Sequence, residues 1–194
     1  MAGLPPIKDA GRDRPDAAGY RLGEPLITQA QIQGRAAEIG GLISRDMAGE
    51  ELLVVGILKG AVMWMSDVVK HISLPAVRID FMAVSSYGAS TQSSGVVRIL
   101  KDLDCPIEGM NVVVVEDIVD TGTTLSYLRE NLLSRRPKSL RICALLDKPA
   151  RRRADISVDY TGFTVDDVFI VGYGLDVDQL FRNLPYIAPV LDGA

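Results

Sequence analysis

The sequence predicts an α/β fold: a mostly parallel, twisted central sheet flanked by helices. Short, wholly apolar runs such as "ELLVVGIL" (residues 51–58) and "NVVVVED" (111–117) read as strands buried on both faces. Between such runs lie stretches whose apolar residues recur at helical spacing. Strand and helix alternate through the middle of the chain, the pattern of parallel strands joined by crossover helices.

Taken in order, residues 1–19 mix Pro, Gly, Lys, Arg and Asp without periodicity and read as a disordered tail ahead of a single domain at 20–194. In "LITQAQIQGRAAEIGGLISRDM" Ile32, Ala36, Ile39 and Ile43 fall on one helical face, with Thr28 as the N-cap. "ELLVVGIL" meets Lys59 and Gly60, and "AVMWMSDVVKHI" then reads as a helix. "VRIDFMAVSSYG" and "GVVRILKDL" read as strands, parted by the small, polar "GASTQSS" (88–94), expected to be a mobile loop. "NVVVVED" is a central strand, "TLSYLRENLLSRR" a helix and "SLRICALLD" a strand, while "ISVDYTGF" and "VFIVGYGLD" finish as strands. No repeat or low-complexity segment interrupts the order.

Bulk properties exclude several classes of function. The chain has 194 residues, enough for a full core, and a net charge of −4, so no global basic field argues for nucleic acid. No apolar run approaches the roughly 20 residues that span a bilayer. The N-terminus lacks a signal peptide's order, so a cytoplasmic protein is expected. Cys105 and Cys143 form no CxxC pair and read as reduced thiols. With His71 as its one histidine, at the end of an apolar helical stretch, the chain offers no His-rich metal site.

The stretch "NVVVVEDIVDTGTTL" (111–125) holds a contradiction. Ligands gather at the carboxyl ends of strands in open α/β sheets, and Glu116, Asp117 and Asp120 end a strand there. Acids suit cations. Yet Thr121, Gly122, Thr123 and Thr124 open a helix, where hydroxyls and free N–H groups surround a phosphate. No Walker sequence occurs anywhere. A phosphorylated ribose with a metal reconciles the two halves: the acids take sugar hydroxyls, Mg²⁺ or a proton. Asp-Thr-Gly also occurs in aspartic proteases, which need two such aspartates in an all-β setting. Helix capping explains one of the three acids, not all.

"VVVVEDIVDTGTTL" resembles the PRPP-binding signature of type I phosphoribosyltransferases. Four further motifs resemble the hypoxanthine-guanine members of that family. "GILKGA" is similar to their pyrophosphate loop, with Lys59 and Gly60 in place, and "SSYG" to the start of their lid, with Ser86 and Tyr87. "LLDKPARRR" places Lys148 where they hold a lysine for the purine 6-oxo group. "VFIVGYGLDVDQLFRNLPYI" is similar to their last motif, with Phe169, Ile170, Asp176 and Arg182 in register. The match runs from about Leu22 to Ile187. Departures are small: Thr123 and Ala61 fall at variable positions, and Val177 stands where an aromatic is frequent.

The resemblance implies Mg²⁺-dependent transfer of phosphoribose from PRPP to hypoxanthine or guanine in purine salvage, giving IMP or GMP and pyrophosphate, by a homodimer or homotetramer. It implies that residues 121–124 hold the 5′-phosphate, and that Glu116 and Asp117 face the ribose hydroxyls and Mg²⁺. Asp120 would manage a proton at purine N7, and Lys59, Gly60 and Arg182 would bind pyrophosphate. A small hood would stand beside the sheet, and the mobile lid loop at 87–94 would exclude water. Phe169 would stack on the base, backbone near Ile170 and Asp176 would accept from a 2-amino group, and Asp176 would hold a second Mg²⁺. Lys148 only donates, which suits a 6-oxo acceptor and rejects a 6-amino donor. Arg135, Arg136, Lys138 and Arg151, Arg152, Arg153 form two basic runs. They read as solvated faces, or else as the mark of a PRPP-sensing regulator on the same fold that binds nucleic acid.

Overall fold

The computed structural model describes residues 19–86 and 97–192. Among the described residues nine strands and three α-helices follow one another as β1 (Arg21–Leu22), α1 (Gln29–Asp46), β2 (Leu52–Leu58), α2 (Val62–Lys70), β3 (Val77–Ser86), β4 (Val97–Lys101), β5 (Asn111–Val119), α3 (Thr123–Leu133), β6 (Ser139–Asp147), β7 (Tyr160–Thr164), β8 (Ile170–Val171) and β9 (Ala188–Asp192). Six strands form the main sheet in the order β4-β3-β2-β5-β6-β7. Within it β2, β3, β5, β6 and β7 pair in parallel, and β4 runs antiparallel on β3. This is the α/β architecture that the alternation of runs predicts.

Both faces of the sheet are covered, which is why the central strands are apolar at every position. On one face Val54, Val113, Val115 and Leu145 pack with Ile32, Ile39 and Ile43 of α1 and Trp64 and Val68 of α2. On the other, Val55, Val112, Val114 and Ile142 pack with Leu125, Leu128 and Leu132 of α3. The valines of β5 thus alternate between two cores, as the period of two requires. Each buried side chain of this size contributes about 1.5–3 kcal/mol. Thr28 caps α1 as expected: its hydroxyl accepts from the Gln31 N–H at 3.3 Å, and the Gln31 side chain accepts from the Thr28 N–H at 2.9 Å.

The chain passes from β2 outward to β3, then returns to place β5 on the other side of β2. The switch point of the sheet therefore lies between the carboxyl ends of β2 and β5, where a crevice opens.

Two expected strands are shorter than their apolar pattern suggests. Within 156–163 the strand begins only at Tyr160. Within 168–176 only Ile170–Val171 is strand, because Gly172, Tyr173 and Gly174 take φ of 102°, 52° and 102° and turn the chain. A second sheet, β1-β9-β8, forms beside that turn; β8 lies within an expected strand, while β1 and β9 come from segments whose pattern did not announce them. His71 is the C-cap of α2 and is exposed. Of the lid, Ser86 is the last residue of β3, and residues 87–94 lie outside the described residues, as do 1–18 of the tail. Among the described residues no helix is long and apolar enough to cross a membrane.

Candidate active site

The phosphate-type loop forms where β5 hands over to α3. Gly122 takes φ +79°, and a Cβ there would come within 2.7 Å of Ile156 Cγ2 and 3.1 Å of Arg152 Cδ. Glycine is thus required twice, by backbone conformation and by space. The N-cap of α3, Gly122, has no side chain to offer and no acid sits in the first turn; the Thr123 N–H leans on the Thr121 hydroxyl at 3.5 Å, and the amides that follow are left for an anion. The Thr121 and Thr123 hydroxyls lie 3.3 Å apart. The segment after β6 braces the loop: Arg153 and Ala154 N–H groups donate to the Thr121 carbonyl at 2.9 and 3.1 Å, and Arg152 Nη1 donates to the Asp120 carbonyl at 2.9 Å.

Across the crevice, β2 ends at Leu58, and the Leu58–Lys59 peptide is cis. Gly60 is wedged against Asp117: a Cβ on Gly60 would stand 1.4 Å from Asp117 Oδ2. On its other side Gly174 presses so close that its own Cβ would meet the Gly60 carbonyl oxygen at 1.9 Å. Arg182 anchors this stack, donating to the Gly174 carbonyl at 2.6 Å and pairing with Asp176 at 2.6 Å. Its Nε is buried without a partner. Lys59 Nζ reaches the Gln179 amide oxygen at 3.1 Å.

Asp117, Asp120, Lys148, Phe169, Ile170 and Asp176 line a cleft of about 260 Å³, together with Ile118 and Leu175. Residues read from three separate motifs converge there. Lys148 is only 6% exposed, and its ammonium donates to the Val168 carbonyl at 2.6 Å. A buried ammonium with one neutral oxygen keeps two N–H groups for a ligand. Beside it the Phe169 ring is 59% exposed, a large apolar face open for stacking. The Lys148 N–H donates to the Val119 carbonyl at 3.0 Å, so the backbone of Lys148 is tied to the end of β5.

Asp120 meets a partner that the sequence did not single out. Arg151 Nε lies 2.7 Å from Asp120 Oδ1, an ion pair too oblique to be a hydrogen bond, while Arg151 Nη1 holds Asp167 at 2.9 Å. Arg151 was visible only as one of a run of arginines; which of the three faces the site follows from the 3₁₀ turn Pro149–Arg151. Gln179 carried no signal at all.

The two acids ending β5 differ from ordinary carboxyls. Burial, then the neighbouring Asp117, pushes Glu116 well above its usual value. Asp117 is also raised, chiefly by burial, with Arg182 pulling down and Asp176 pushing up. Both are primed for a cation or a donor that burial withholds. Glu116 is buried at the end of the strand and does not line the cleft, whereas Asp117 and Asp176 do. For Mg²⁺ the donor set fits. Among the described residues no three His, Cys, Asp or Glu side chains form a cage, but Mg²⁺ characteristically takes one or two carboxylates and completes its shell with water and substrate oxygens.

The basic runs are spent locally. Arg135 pairs with Asp102 at 2.7 Å, Arg136 with Glu108 at 3.0 Å and Lys138 with Glu50 at 2.7 Å, while Arg152 pairs with Asp147.

The phosphoribosyl transferase domain matches residues 28–178. The hypoxanthine-guanine phosphoribosyltransferase of Mycobacterium tuberculosis (strain ATCC 25618 / H37Rv) is 51% identical over 168 residues, covering 84% of this chain and 83% of that protein. The protein of the same description from Bacillus subtilis (strain 168) is 49% identical over 162 residues, covering 84% and 89%. The crystal structure of a hypoxanthine phosphoribosyltransferase from Staphylococcus aureus superposes with a TM-score of 0.84 at 50% identity, covering 87% of this chain and 91% of that one. The chain belongs to the phosphoribosyl transferase family, and within it to the hypoxanthine-guanine enzymes.

Proposed function

We propose that the protein serves purine salvage, transferring the 5-phosphoribosyl group of PRPP to N9 of hypoxanthine and guanine and releasing pyrophosphate. The observation that carries this is Lys148, a buried ammonium in a cleft beside an exposed aromatic face. A donor-only group suits a 6-oxo acceptor and leaves a 6-amino donor unpaired, so adenine is rejected.

In this reading the amides at the start of α3 and the hydroxyls of residues 121–124 take the 5′-phosphate. Glu116 and Asp117 serve the ribose hydroxyls, and Asp117 with Asp176 would hold Mg²⁺. When bound, Mg²⁺ supplies positive charge that eases departure of pyrophosphate. Lys59 and Arg182 add their own charge to that leaving group, with the Gly60 backbone beside them. Asp120 accepts or shares the proton at purine N7 as the base attacks, and its negative charge favours the positive character growing at the sugar carbon. Phe169 stacks on the base, and carbonyls near Ile170 and Asp176 take the 2-amino group of guanine.

The alternative of a nucleic-acid-binding regulator finds no support: the relatives at about half identity are enzymes, and the basic runs are largely paired with acids of this chain. The test is direct. Purified protein with PRPP and Mg²⁺ should form IMP from hypoxanthine and GMP from guanine, with adenine a very poor substrate. Efficient AMP formation, or no product from any 6-oxopurine, would overturn the reading.

A further inference from the structure

We propose that the side-chain amide of Gln179 is an internal competitor for pyrophosphate: its oxygen lies where an anion's oxygen must lie, so amide and anion exclude one another. This rests on the assignment of Lys59 and Arg182 to the pyrophosphate.

Gln179 Oε1 accepts from Lys59 Nζ at 3.1 Å and from Arg182 Nη2 at 3.3 Å. Among the described residues this oxygen is the hydrogen-bond partner of the Lys59 ammonium. Two like charges converging on one neutral oxygen is an arrangement that a charged phosphate oxygen satisfies better, since charge-assisted hydrogen bonds are about twice as strong as neutral ones. Arg182 also retains a buried, unpartnered Nε–H. Its bonding capacity is therefore not exhausted by Asp176, Gly174 and Gln179.

The amide is aimed by its backbone. Asp178, Gln179 and Phe181 take φ of +50°, +66° and +71°, three left-handed non-glycine residues among four. Such conformations persist only where the surroundings fix them. The fixing contacts are present: the Tyr20 hydroxyl donates to Asp178 at 2.6 Å, the Tyr20 and Phe181 rings meet edge to face at 6.3 Å, and the Gln179 N–H donates to Asp176 at 2.8 Å. A carboxylate at position 179 would meet both cations as a full charge and compete far harder. The neutral amide yields its place, then returns as the product leaves.

The experiment measures pyrophosphate dissociation constants by calorimetry, and pyrophosphate product inhibition, for wild type, Gln179→Asn, Gln179→Glu and Lys59→Ala. Asn tolerates a left-handed φ and draws the amide back by one methylene, so binding should tighten about threefold or more, in line with loss of one neutral hydrogen bond. Glu should weaken it about tenfold or more by adding a competing charge. Weaker binding in the Asn variant would make Gln179 a support for the cations rather than a rival of the anion, and unchanged binding in the Glu variant would remove the amide from the site. Both outcomes overturn the proposal. Lys59→Ala tests the underlying assignment separately: if it binds pyrophosphate as wild type does, the assignment itself fails.

Discussion

The two ends of the central sheet use the same residue types to opposite effect. At the amino end acids are matched. Glu50, just before β2, accepts from Lys138 at 2.7 Å and from the buried Asn111 at 3.3 Å, and Asn111 in turn accepts from Ser139 at 2.8 Å. Lys138 holds Glu50 below the ordinary carboxyl range. At the carboxyl end Glu116 and Asp117 are raised instead, chiefly by burial, which Arg182 offsets only in part at Asp117. One end is finished by the chain itself, and the other is finished by what it binds. Stability is concentrated where the polar groups are satisfied, and chemistry where they are left wanting.

Breaking the carboxyl end should cost activity and spare the fold. Asp120→Asn keeps size and hydrogen bonding but removes a proton acceptor and a charge. Turnover should fall about 10²–10⁴-fold, with PRPP affinity and melting temperature close to wild type. Wild-type kcat would remove Asp120 from the chemistry.

Next in size is Lys148→Met, which keeps the buried stem and deletes the charge. Losing a charged hydrogen bond worth about 1.5–3 kcal/mol should lower kcat/KM for hypoxanthine by roughly 10- to 150-fold. Discrimination against adenine should narrow at the same time. Steady-state kinetics with both bases reads this; unchanged selectivity would detach Lys148 from base choice.

The third change sharpens the contrast in the other direction. The folded protein holds the Glu116 proton more tightly than the unfolded chain does, so protonation favours folding. That contribution is full below the ordinary value of 4.5 and is lost as pH rises toward the raised folded value. Glu116→Gln does not titrate, so the ligand-free variant should melt higher than wild type above that range, with the gap closing in acid. At the amino end the sign reverses: Glu50 is lowered from 4.5, so its contribution is present above that value and disappears on acidification. Melting curves across pH would expose both slopes.

The smallest effect belongs to the amino end. Asn111→Ala should lose about 1–2 kcal/mol through the broken polar network and lower the melting temperature by roughly 2–8 °C. Turnover should be unaltered. A fall in kcat would show that the two ends are not separable.

Much of this division is legible in the sequence. The wholly apolar strands locate the sheet, and acids followed by Thr-Gly-Thr-Thr locate the anion cradle, because both depend on neighbours in the chain. Lys148 reads more readily as a surface lysine before a proline turn; the carbonyl that holds its ammonium in the cleft belongs to Val168, twenty positions away. Gln179 and the Arg151–Asp120 pair are equally invisible: the first is aimed by a turn whose left-handed residues, Asp178, Gln179 and Phe181, include no glycine to announce it, and the second by the 3₁₀ turn Pro149–Arg151. The shortness of β8, by contrast, could have been read from Gly172 and Gly174.

The stack of Gly60 between Asp117 and Gly174 bears on how a mutational library of this protein would be interpreted. With space for a Cβ at neither glycine, a side chain on Gly60 would displace the Asp117 carboxylate, and one on Gly174 would displace the Gly60 backbone. An activity screen would score these two positions as severely as Asp120, although neither has a side chain to bring to the reaction. The open ring of Phe169 would tolerate exchange for other flat side chains. Ranking positions by lost activity would therefore recover the scaffolding of the crevice before its chemistry, and only a parallel screen for folded protein would tell the two apart.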